Sequence, residues 1–147
     1  MTDNEILVID ADWTQDREEL IAVRTRVFVE EQGVPPELEL DEFDAVSRHA
    51  KAVTGEGHII GTGRLLPNAH VGRMCVLPEY RGRGIGSRLL RHFIELARRE
   101  GLPRLHLNAQ VGALDFYRRH GFHEVSDLFL EAGIEHQAMT LSLLDEE

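Results

Sequence analysis

The sequence predicts a single α/β domain over residues 1–147, in which a mixed, mostly antiparallel sheet has helices on both faces. Three observations predict this fold class. Short apolar segments with strand character alternate with helix-like segments along the chain. A β-meander with two turn signals lies in the middle of the chain, and a strongly amphipathic helix follows it. The predicted element order is β-α-βββ-α-β-α-ββ.

The first half of the chain supplies a strand, a helix and the meander. Residues 5–11 (EILVIDA) have strand character, and Thr14 is the expected N-cap of a helix whose apolar face extends to Phe28. The segment GVPP ends this helix because proline cannot continue it. Residues 37–44 (ELELDEFD) lack a clear period and are predicted to form a loop or short helix. The meander turns and its third strand are predicted at residues 55–57, 67–68 and 71–77.

The second half begins with a glycine-rich turn and a long helix. Five apolar residues form one stripe of this helix: Ile85, Leu89, Phe93, Leu96 and Ala97. Gly101 and Pro103 end it. A strand over 104–109, a short helix over 111–121 and two final strands complete the predicted fold.

Composition excludes several functional classes. The net charge of -10 argues against nonspecific binding of nucleic acid, which requires a basic surface. No apolar run approaches the roughly 18 residues of a membrane span, and the N-terminus lacks the order of a secretory signal. Cys75 is the only cysteine, so no intrachain disulfide can form and a reducing compartment is expected. The sequence therefore predicts a cytoplasmic protein without a membrane partner.

The stretch EYRGRGIGSRLL (79–90) combines bare backbone with positive charge. Gly82, Gly84 and Gly86 precede or open the long helix, whose first N–H groups have no intrahelical partner and attract anions. Arginines at 81, 83 and 88 are expected to add charge-assisted hydrogen bonds. A Walker A loop is disfavoured because no Lys-Ser/Thr pair follows the last glycine, and the spacing differs from a dinucleotide-binding turn. The segment predicts a compact phosphate-bearing ligand.

At this segment the chain resembles a known family. Residues 81–86 (RGRGIG) match the Arg/Gln-x-x-Gly-x-Gly/Ala signature of the GCN5-related N-acetyltransferases (GNATs). Further matches are VGRMCVLPEYRG before the signature and LNAQVGALDFYRRHGF after it, so the resemblance covers essentially the whole chain. The stretches VFVEEQGVP and GIEHQAM resemble small bacterial members described as ElaA-like or YjcF-like.

The resemblance implies a GNAT fold that binds acetyl-CoA as cosubstrate. The pyrophosphate is then expected on amides at the start of the long helix. A splay in strand 71–77 is expected to present backbone groups to the pantetheine and the thioester, with the Val76 N–H as oxyanion donor. The implied cofactor site comprises Met74, Cys75, Val76, Arg81, Gly82, Arg83, Gly84, Ile85, Gly86, Ser87, Asn108 and Tyr117.

Acetyl transfer to an amine also needs an acid and a base. Tyr117 is the candidate general acid, because a tyrosine with a pKa near 10 holds its proton at pH 7; the alternative is that it only packs in the core. Glu31 is the first candidate for the general base, since it ends the first helix near the acceptor pocket of this fold. Other carboxylates and histidines stay open as alternatives: Glu30, Asp41, Glu42, Asp44, His49 and His136.

The resemblance predicts an N-acetyltransferase that moves an acetyl group to a primary amine by direct transfer in a ternary complex. A non-catalytic acyl-CoA-binding or sensing domain is the alternative. The acidic run 37–44 either attracts a cationic amine or is a solvated loop. No metal is expected, because the eight histidines form no ligand motif, and Cys75 is expected to be a small buried residue. The acceptor is not identified, and a homodimer is an expected assembly.

Overall fold

The computed structural model describes residues 5–144 and shows two antiparallel sheets with helices packed on them. The strands are β1 (Leu7–Ala11), β2 (Arg48–Val53), β3 (Ile59–Leu65), β4 (Val71–Val76), β5 (Arg104–Gln110), β6 (His123–Glu124), β7 (Phe129–Glu131) and β8 (Ile134–Ser142). The α-helices are α1 (Trp13–Arg24), α2 (Pro36–Glu39), α3 (Ile85–Arg99) and α4 (Leu114–Arg119). None of the helices within 5–144 is long and apolar enough to cross a membrane.

The predicted mixed α/β architecture is confirmed, with local differences. The first sheet has the order β1-β2-β3-β4, and in the second β8 pairs with β5, β6 and β7. Three strands therefore follow α4 where two were predicted, the short β6 and β7 and the nine-residue β8, because a tight turn at Ala132-Gly133 divides the last segment. The predicted acidic loop forms α2 and a 3₁₀ turn over Glu42–Val46.

The first helix also differs in detail from its prediction. Its N-cap is Asp12 and not Thr14, because the Asp12 carboxylate accepts hydrogen bonds from the backbone N–H groups of Thr14 and Gln15 at 2.8 and 3.0 Å. After Arg24 the helix continues as a π-helix over Thr25–Glu31.

Strand β3 lies at the centre of the packing and is buried along its whole length. α3 packs on one face so closely that a Cβ at Gly63 would lie 2.8 Å from the Phe93 ring. All five residues of the predicted α3 stripe are buried. On the other face Arg64 contacts the segment that follows α2. The helices therefore cover both faces of the first sheet, as predicted.

The two sheets are joined at one point and then separate. An isolated parallel bridge pairs His70 with His106, and the His106 N–H donates to the Ala69 carbonyl at 3.0 Å. Beyond it β4 pairs with β3 and β5 with β8, so the facing edges of β4 and β5 diverge. Within β4, two residues, Arg73 and Met74, lie opposite Gly63, which makes a β-bulge with Arg73 at φ 52°. The splay implied by the family resemblance is present.

A buried cluster of charges connects α1, β3 and the acidic segment, residues 37–44. The Arg24 Nε donates to Glu39 Oε2 at 2.6 Å and its Nη1 donates to Asp44 Oδ1 at 2.7 Å. Arg64 donates to both oxygens of Asp41 at 2.7 and 2.9 Å and to Asp44 at 2.8 Å. The Arg24 side chain is 1% exposed, and its guanidinium lies 5.8 Å from the Trp13 ring, which stacks on His49.

This cluster corrects the interpretation of residues 37–44 as a run of free carboxylates that attracts a cationic amine. Arg73 donates to the Glu39 carbonyl at 2.9 Å and to Asp41 Oδ2 at 3.3 Å. Three carboxylates of the segment are thus neutralised by three arginines from α1, β3 and β4. The hydrogen bonds from Arg64 lower the pKa of Asp41 below its usual value, against the opposing effect of burial. These three carboxylates are therefore not expected to attract a cationic ligand.

The cluster predicts a sharp contrast between two arginines that are two residues apart. Arg24→Met should lower the free energy of unfolding by as much as about 3–5 kcal/mol, because it removes a buried charge and leaves Glu39 only its 3.4 Å contact with Arg73 and Asp44 only its ion pair with Arg64. Arg26→Met is the matched control: its ion pair with Glu79 is exposed and screened by solvent, so its loss should change the free energy of unfolding much less. Urea unfolding followed by circular dichroism measures both values, and equal losses would contradict the structural role of the cluster.

Candidate active site

Two cavities lie along the gap between β4 and β5 and meet in its middle. The first, the α3 cavity, has a volume of about 510 Å³ and is bounded by β4, the glycine turn, the start of α3 and α4. The second, the hairpin cavity, has a volume of about 550 Å³ and is bounded by the π-helix, the acidic segment, β4, β5 and the β7–β8 hairpin. Met74, Ala113 and Tyr117 line both cavities.

The glycine turn gives the α3 cavity an amide-rich wall. The first α-helical hydrogen bond of α3 is donated by the Arg88 N–H to the Gly84 carbonyl at 3.1 Å, so the N–H groups of residues 85–87 have no partner within the helix. Gly84 is the N-cap with φ 79°, and a Cβ built there would meet no atom within 4 Å. Glycine is needed here for its left-handed backbone and leaves the approach to these amides open.

Most of the predicted cofactor residues line the α3 cavity. These are Met74, Cys75, Val76, Arg81, Gly82, Gly84, Ile85, Gly86, Ser87 and Tyr117. Asn108 lines the hairpin cavity instead, where its amide donates to Glu131 Oε1 at 3.2 Å. Arg83 lines neither cavity; its guanidinium lies 5.2 Å from the Tyr80 ring and donates to the Glu79 carbonyl.

The arginines of the signature have structural partners. Arg81 donates two hydrogen bonds of 2.7 Å to Glu31 and one of 2.9 Å to the Val76 carbonyl, and so joins the π-helix to the end of β4. Arg88 donates to the Ile6 carbonyl at 2.8 Å. The expectation that these two side chains are available to an anion is therefore corrected.

Arg119 is the cation that the sequence reasoning missed. It lines the α3 cavity, is exposed, and forms no ion pair with any carboxylate of residues 5–144. The sequence DFYRRHG could have indicated this role, because Arg118 and Arg119 follow Tyr117 and must point to different sides of a helix. Arg118 pairs with Asp115 at 2.6 Å, which leaves Arg119 for the cavity.

Glu31 does not have the environment of a general base. Its hydrogen bonds from Arg81 lower the pKa of its carboxyl group, and it lines neither cavity. His49 is also unsuited, because it is buried, contacts the Asp44 carbonyl at 2.8 Å, and has its pKa lowered by burial. Asp41 lines the hairpin cavity but is bound by arginines, whereas His136 lines it without such a pair. The candidate bases Glu30, Glu42 and Asp44 line neither cavity.

Tyr117 lies at the junction of the cavities with its phenol held in aromatic surroundings. Its ring centroid lies 5.0 Å from that of Phe116 and 6.0 Å from that of Phe122. Burial raises the pKa of Tyr117 to about 12, so the hydroxyl stays protonated at neutral pH. No residue within 5–144 is hydrogen-bonded to this hydroxyl.

Cys75 is buried, as predicted, with 8% of its surface exposed. Burial raises the pKa of its thiol to about 12, which keeps it protonated and a poor nucleophile at neutral pH. Within residues 5–144 there is no group of three or more histidine, cysteine, aspartate or glutamate side chains placed to hold a metal ion.

The backbone around the hairpin cavity is strained at specific positions. Within residues 5–144, three non-glycine residues have positive φ: Ala69 at 69°, Arg73 at 52° and Ala132 at 52°. Arg73 and Ala132 line the hairpin cavity, and Ala69 precedes His70, which also lines it. Such conformations cost about 1–3 kcal/mol each and cluster at functional sites. The positive φ of Ala132 belongs to the tight turn of the β7–β8 hairpin, and that of Arg73 belongs to the β-bulge that shapes β4.

Comparison with known proteins agrees with this geometry. A model of the acetyltransferase (GNAT) domain family matches residues 15–143. The chain belongs to the GNAT acetyltransferase family. It is 39% identical over 121 residues to the uncharacterized N-acetyltransferase YjcF of Bacillus subtilis, a match that covers 80% of this chain and 86% of YjcF. The family and the YjcF-like subgroup predicted from the sequence are therefore confirmed.

Solved structures confirm the GNAT fold. A crystal structure of an acyl-CoA N-acyltransferase from Pseudomonas aeruginosa is 28% identical, with a TM-score of 0.83 over 93% of this chain and 99% of that chain. Escherichia coli ElaA is 24% identical and superposes with a TM-score of 0.82 over 93% of this chain and 99% of that chain, which shows a shared fold.

The amide wall predicts a specific effect of a single added methyl group. Gly84→Ala should weaken binding of coenzyme A at least about tenfold, because the methyl group occupies the approach to the helix amides. It should also cost about 1–2 kcal/mol of folding free energy, since alanine is strained at positive φ.

Gly101→Ala is the control, because Gly101 follows the other end of α3 with φ 73° and equally open surroundings. It should show a similar loss of stability and unchanged affinity for coenzyme A. Calorimetric titration and urea unfolding separate the two effects. Equal affinities of the two variants would mean that the ligand does not rest on these amides.

Proposed function

We propose that this protein is an acetyl-CoA-dependent N-acetyltransferase that acetylates a primary amine by direct transfer in a ternary complex. The observation that carries the proposal is the meeting of the two cavities at Met74, Ala113 and Tyr117. A phosphate-bearing thioester that enters over α3 and an amine that enters from the hairpin side reach each other at this junction. Their volumes, about 510 and 550 Å³, suit small ligands.

The α3 cavity supplies the groups that a coenzyme A ester requires. The amides of residues 85–87 and the positive end of the α3 dipole would hold the diphosphate. Arg119 would add a cation that is not paired with any carboxylate of residues 5–144. The separated edge of β4 at Met74, Cys75 and Val76 would offer backbone hydrogen-bonding groups to the pantetheine arm.

The reaction proceeds by attack of the neutral amine nitrogen on the thioester carbonyl carbon. The C–N bond forms as the C–S bond breaks, the carbonyl oxygen carries negative charge in between, and the Val76 N–H is the expected donor to it. The nitrogen loses one proton to solvent, and the departing sulfur gains one from the Tyr117 hydroxyl, which solvent then restores. The products are an amide and free coenzyme A thiol.

Tyr117 is matched to this task by its surroundings. Its phenol, with a pKa of about 12, is fully protonated at neutral pH and lies where both cavities join. Loss of water around the reacting centre disfavours a charged thiolate, so a protonated donor at the junction assists departure of the sulfur.

The proposal is tested by mixing the protein with acetyl-CoA and a panel of amines, and by following both thiol release and the acetylated amine by mass spectrometry. If the protein is an enzyme, thiol release should depend on the amine, and free coenzyme A and the acetylated amine should form in equal amounts. A non-catalytic acyl-CoA-binding domain would bind acetyl-CoA in calorimetry and form neither product. Absence of acetyl-CoA binding would overturn both the enzyme hypothesis and the binding-domain hypothesis. The small-molecule acceptor, the homodimer and the cytoplasmic location stay predictions.

The acid role predicts a difference between the two tyrosines of the chain. Tyr117→Phe should lower kcat by about 10²-fold with little change in acetyl-CoA affinity, because only the proton donor is lost. Tyr80→Phe is the matched control, since Tyr80 lines the same cavity away from its junction with the hairpin cavity, and its kcat should stay within about twofold. Steady-state kinetics and calorimetry measure both effects; weakened binding at unchanged kcat in Tyr117→Phe contradicts the role.

Direct transfer predicts that the thiol of Cys75 is dispensable. Cys75→Ala should keep kcat within a few-fold, and initial rates should give intersecting double-reciprocal lines, as expected for a ternary complex. An acetyl-cysteine intermediate predicts the opposite: parallel lines in the wild type and complete loss of turnover in the variant. Mass spectrometry of protein incubated with acetyl-CoA alone, which should show no added acetyl group, is the independent check.

A further inference from the structure

The charges that line the hairpin cavity balance except at one residue. Three carboxylates line it: Glu39, Asp41 and Glu131. The first two belong to the buried cluster, where Glu39 is bound by Arg24 and Asp41 is bound by Arg64. Glu131 forms no ion pair with a lysine or arginine of residues 5–144. It is therefore the one lining carboxylate that is not paired with a lysine or arginine within the described chain.

Glu131 is held at the mouth of the cavity by its neighbours. It is the last residue of β7 and precedes the tight turn at Ala132-Gly133, whose residues have φ 52° and 78°. The Asn108 amide donates to its Oε1 at 3.2 Å, and its Oε2 lies 4.0 Å from His136 Nε2. With 47% of the side chain exposed, the carboxylate keeps free hydrogen-bonding capacity.

The rest of the cavity wall combines apolar side chains with polar ones that are already hydrogen-bonded. The Gln110 amide donates to Gln32 Oε1 at 2.8 Å, and the Asn108 amide donates to Glu131. The apolar part of the lining includes Phe28, Val34, Leu38, Phe43, Leu66, Val71, Leu107 and Ile134. Leu38 and Phe43 are also exposed to solvent at the surface, which extends the apolar wall outward. Burial lowers the pKa of His70, so this lining residue adds no positive charge at neutral pH.

We propose that Glu131 binds the ammonium group of the acceptor, and that the acceptor is a primary amine with one positive charge on an apolar body. The inference rests on the proposed function and specifies its substrate class. A second ammonium group, as in a polyamine, would enter a cavity whose remaining carboxylates are already paired with arginines, at a high desolvation cost. The hydroxyl groups of an amino sugar would meet lining amides that are already hydrogen-bonded to each other or to Glu131.

Glu131 is a specificity residue in this scheme. It attracts and positions the protonated acceptor at the mouth of the cavity, and the apolar walls receive the acceptor body. The neutral fraction of the bound amine then reaches the thioester at the junction near Tyr117. Loss of the carboxylate should therefore weaken acceptor binding and leave acetyl-CoA binding unchanged.

The test uses three probes on the full chain: phenethylamine as an apolar monoamine, spermidine as a polyamine and glucosamine as an amino sugar. In the wild type, kcat/KM for phenethylamine should exceed that for either other probe by at least about tenfold. Glu131→Gln should raise the KM for phenethylamine about tenfold or more at similar kcat. The calorimetric Kd for phenethylamine without acetyl-CoA should rise by the same factor.

Glu135→Gln is the matched control. Glu135 lies four residues along the same hairpin, is exposed, and does not line the cavity. This variant should bind and acetylate phenethylamine like the wild type. Glu131→Asp, which keeps the charge, should recover part of the affinity, and circular dichroism should show that every variant is folded.

The outcomes separate the inference from the proposed function. Acetyl-CoA turnover that prefers spermidine or glucosamine overturns the substrate class and leaves the transferase function standing. Equal phenethylamine affinities of Glu131→Gln and Glu135→Gln overturn the role of Glu131. Failure to bind acetyl-CoA overturns the proposed function, and the calorimetry with phenethylamine alone still decides whether Glu131 binds ammonium groups.

Discussion

The separation of β4 from β5 is the constraint on which both cavities depend. A continuous ladder between these parallel neighbours would use up their backbone groups and close the gap, whereas here only the His70–His106 bridge joins them. The β-bulge at Arg73 and Met74 turns β4 away from its neighbour directly after that point. One wall of each cavity is therefore polypeptide backbone, which can contact a ligand without help from particular side chains.

The hairpin cavity owes its character to charges that lie behind its wall. Arg24, Arg64 and Arg73 hold the acidic segment against the first sheet and remove its negative charge from the recognition surface. What remains is a partly apolar cavity with one carboxylate at its edge that no lysine or arginine of the described residues pairs with. A sequence rich in acidic residues thus gives a cavity that is close to neutral, because the partners of those residues come from distant parts of the chain.

Local patterns were sufficient for the fold and for the ligand-binding turn, but they did not reveal long-range pairing. The period of α3, the two meander turns and the open amides near Gly84 depend on neighbours within a few residues, and each was predictable. The pairing of Arg81 with Glu31 joins residues fifty positions apart. The sequence therefore could not predict that Arg81 has a structural role or that Glu31 is unsuited to act as a base. The same reason hid Glu131, whose importance appears only once every other carboxylate in its cavity has been assigned a partner.

The position of Trp13 has a practical consequence. It is the only tryptophan of the chain, it stacks on His49 at 4.6 Å, and it lies beside Arg24 instead of lining either cavity. Its intrinsic fluorescence should therefore report on the integrity of the packing around α1 and not on the binding of a ligand in either cavity. Emission spectra can thus follow the loosening of the packing around α1 without direct contact between the fluorophore and a bound ligand.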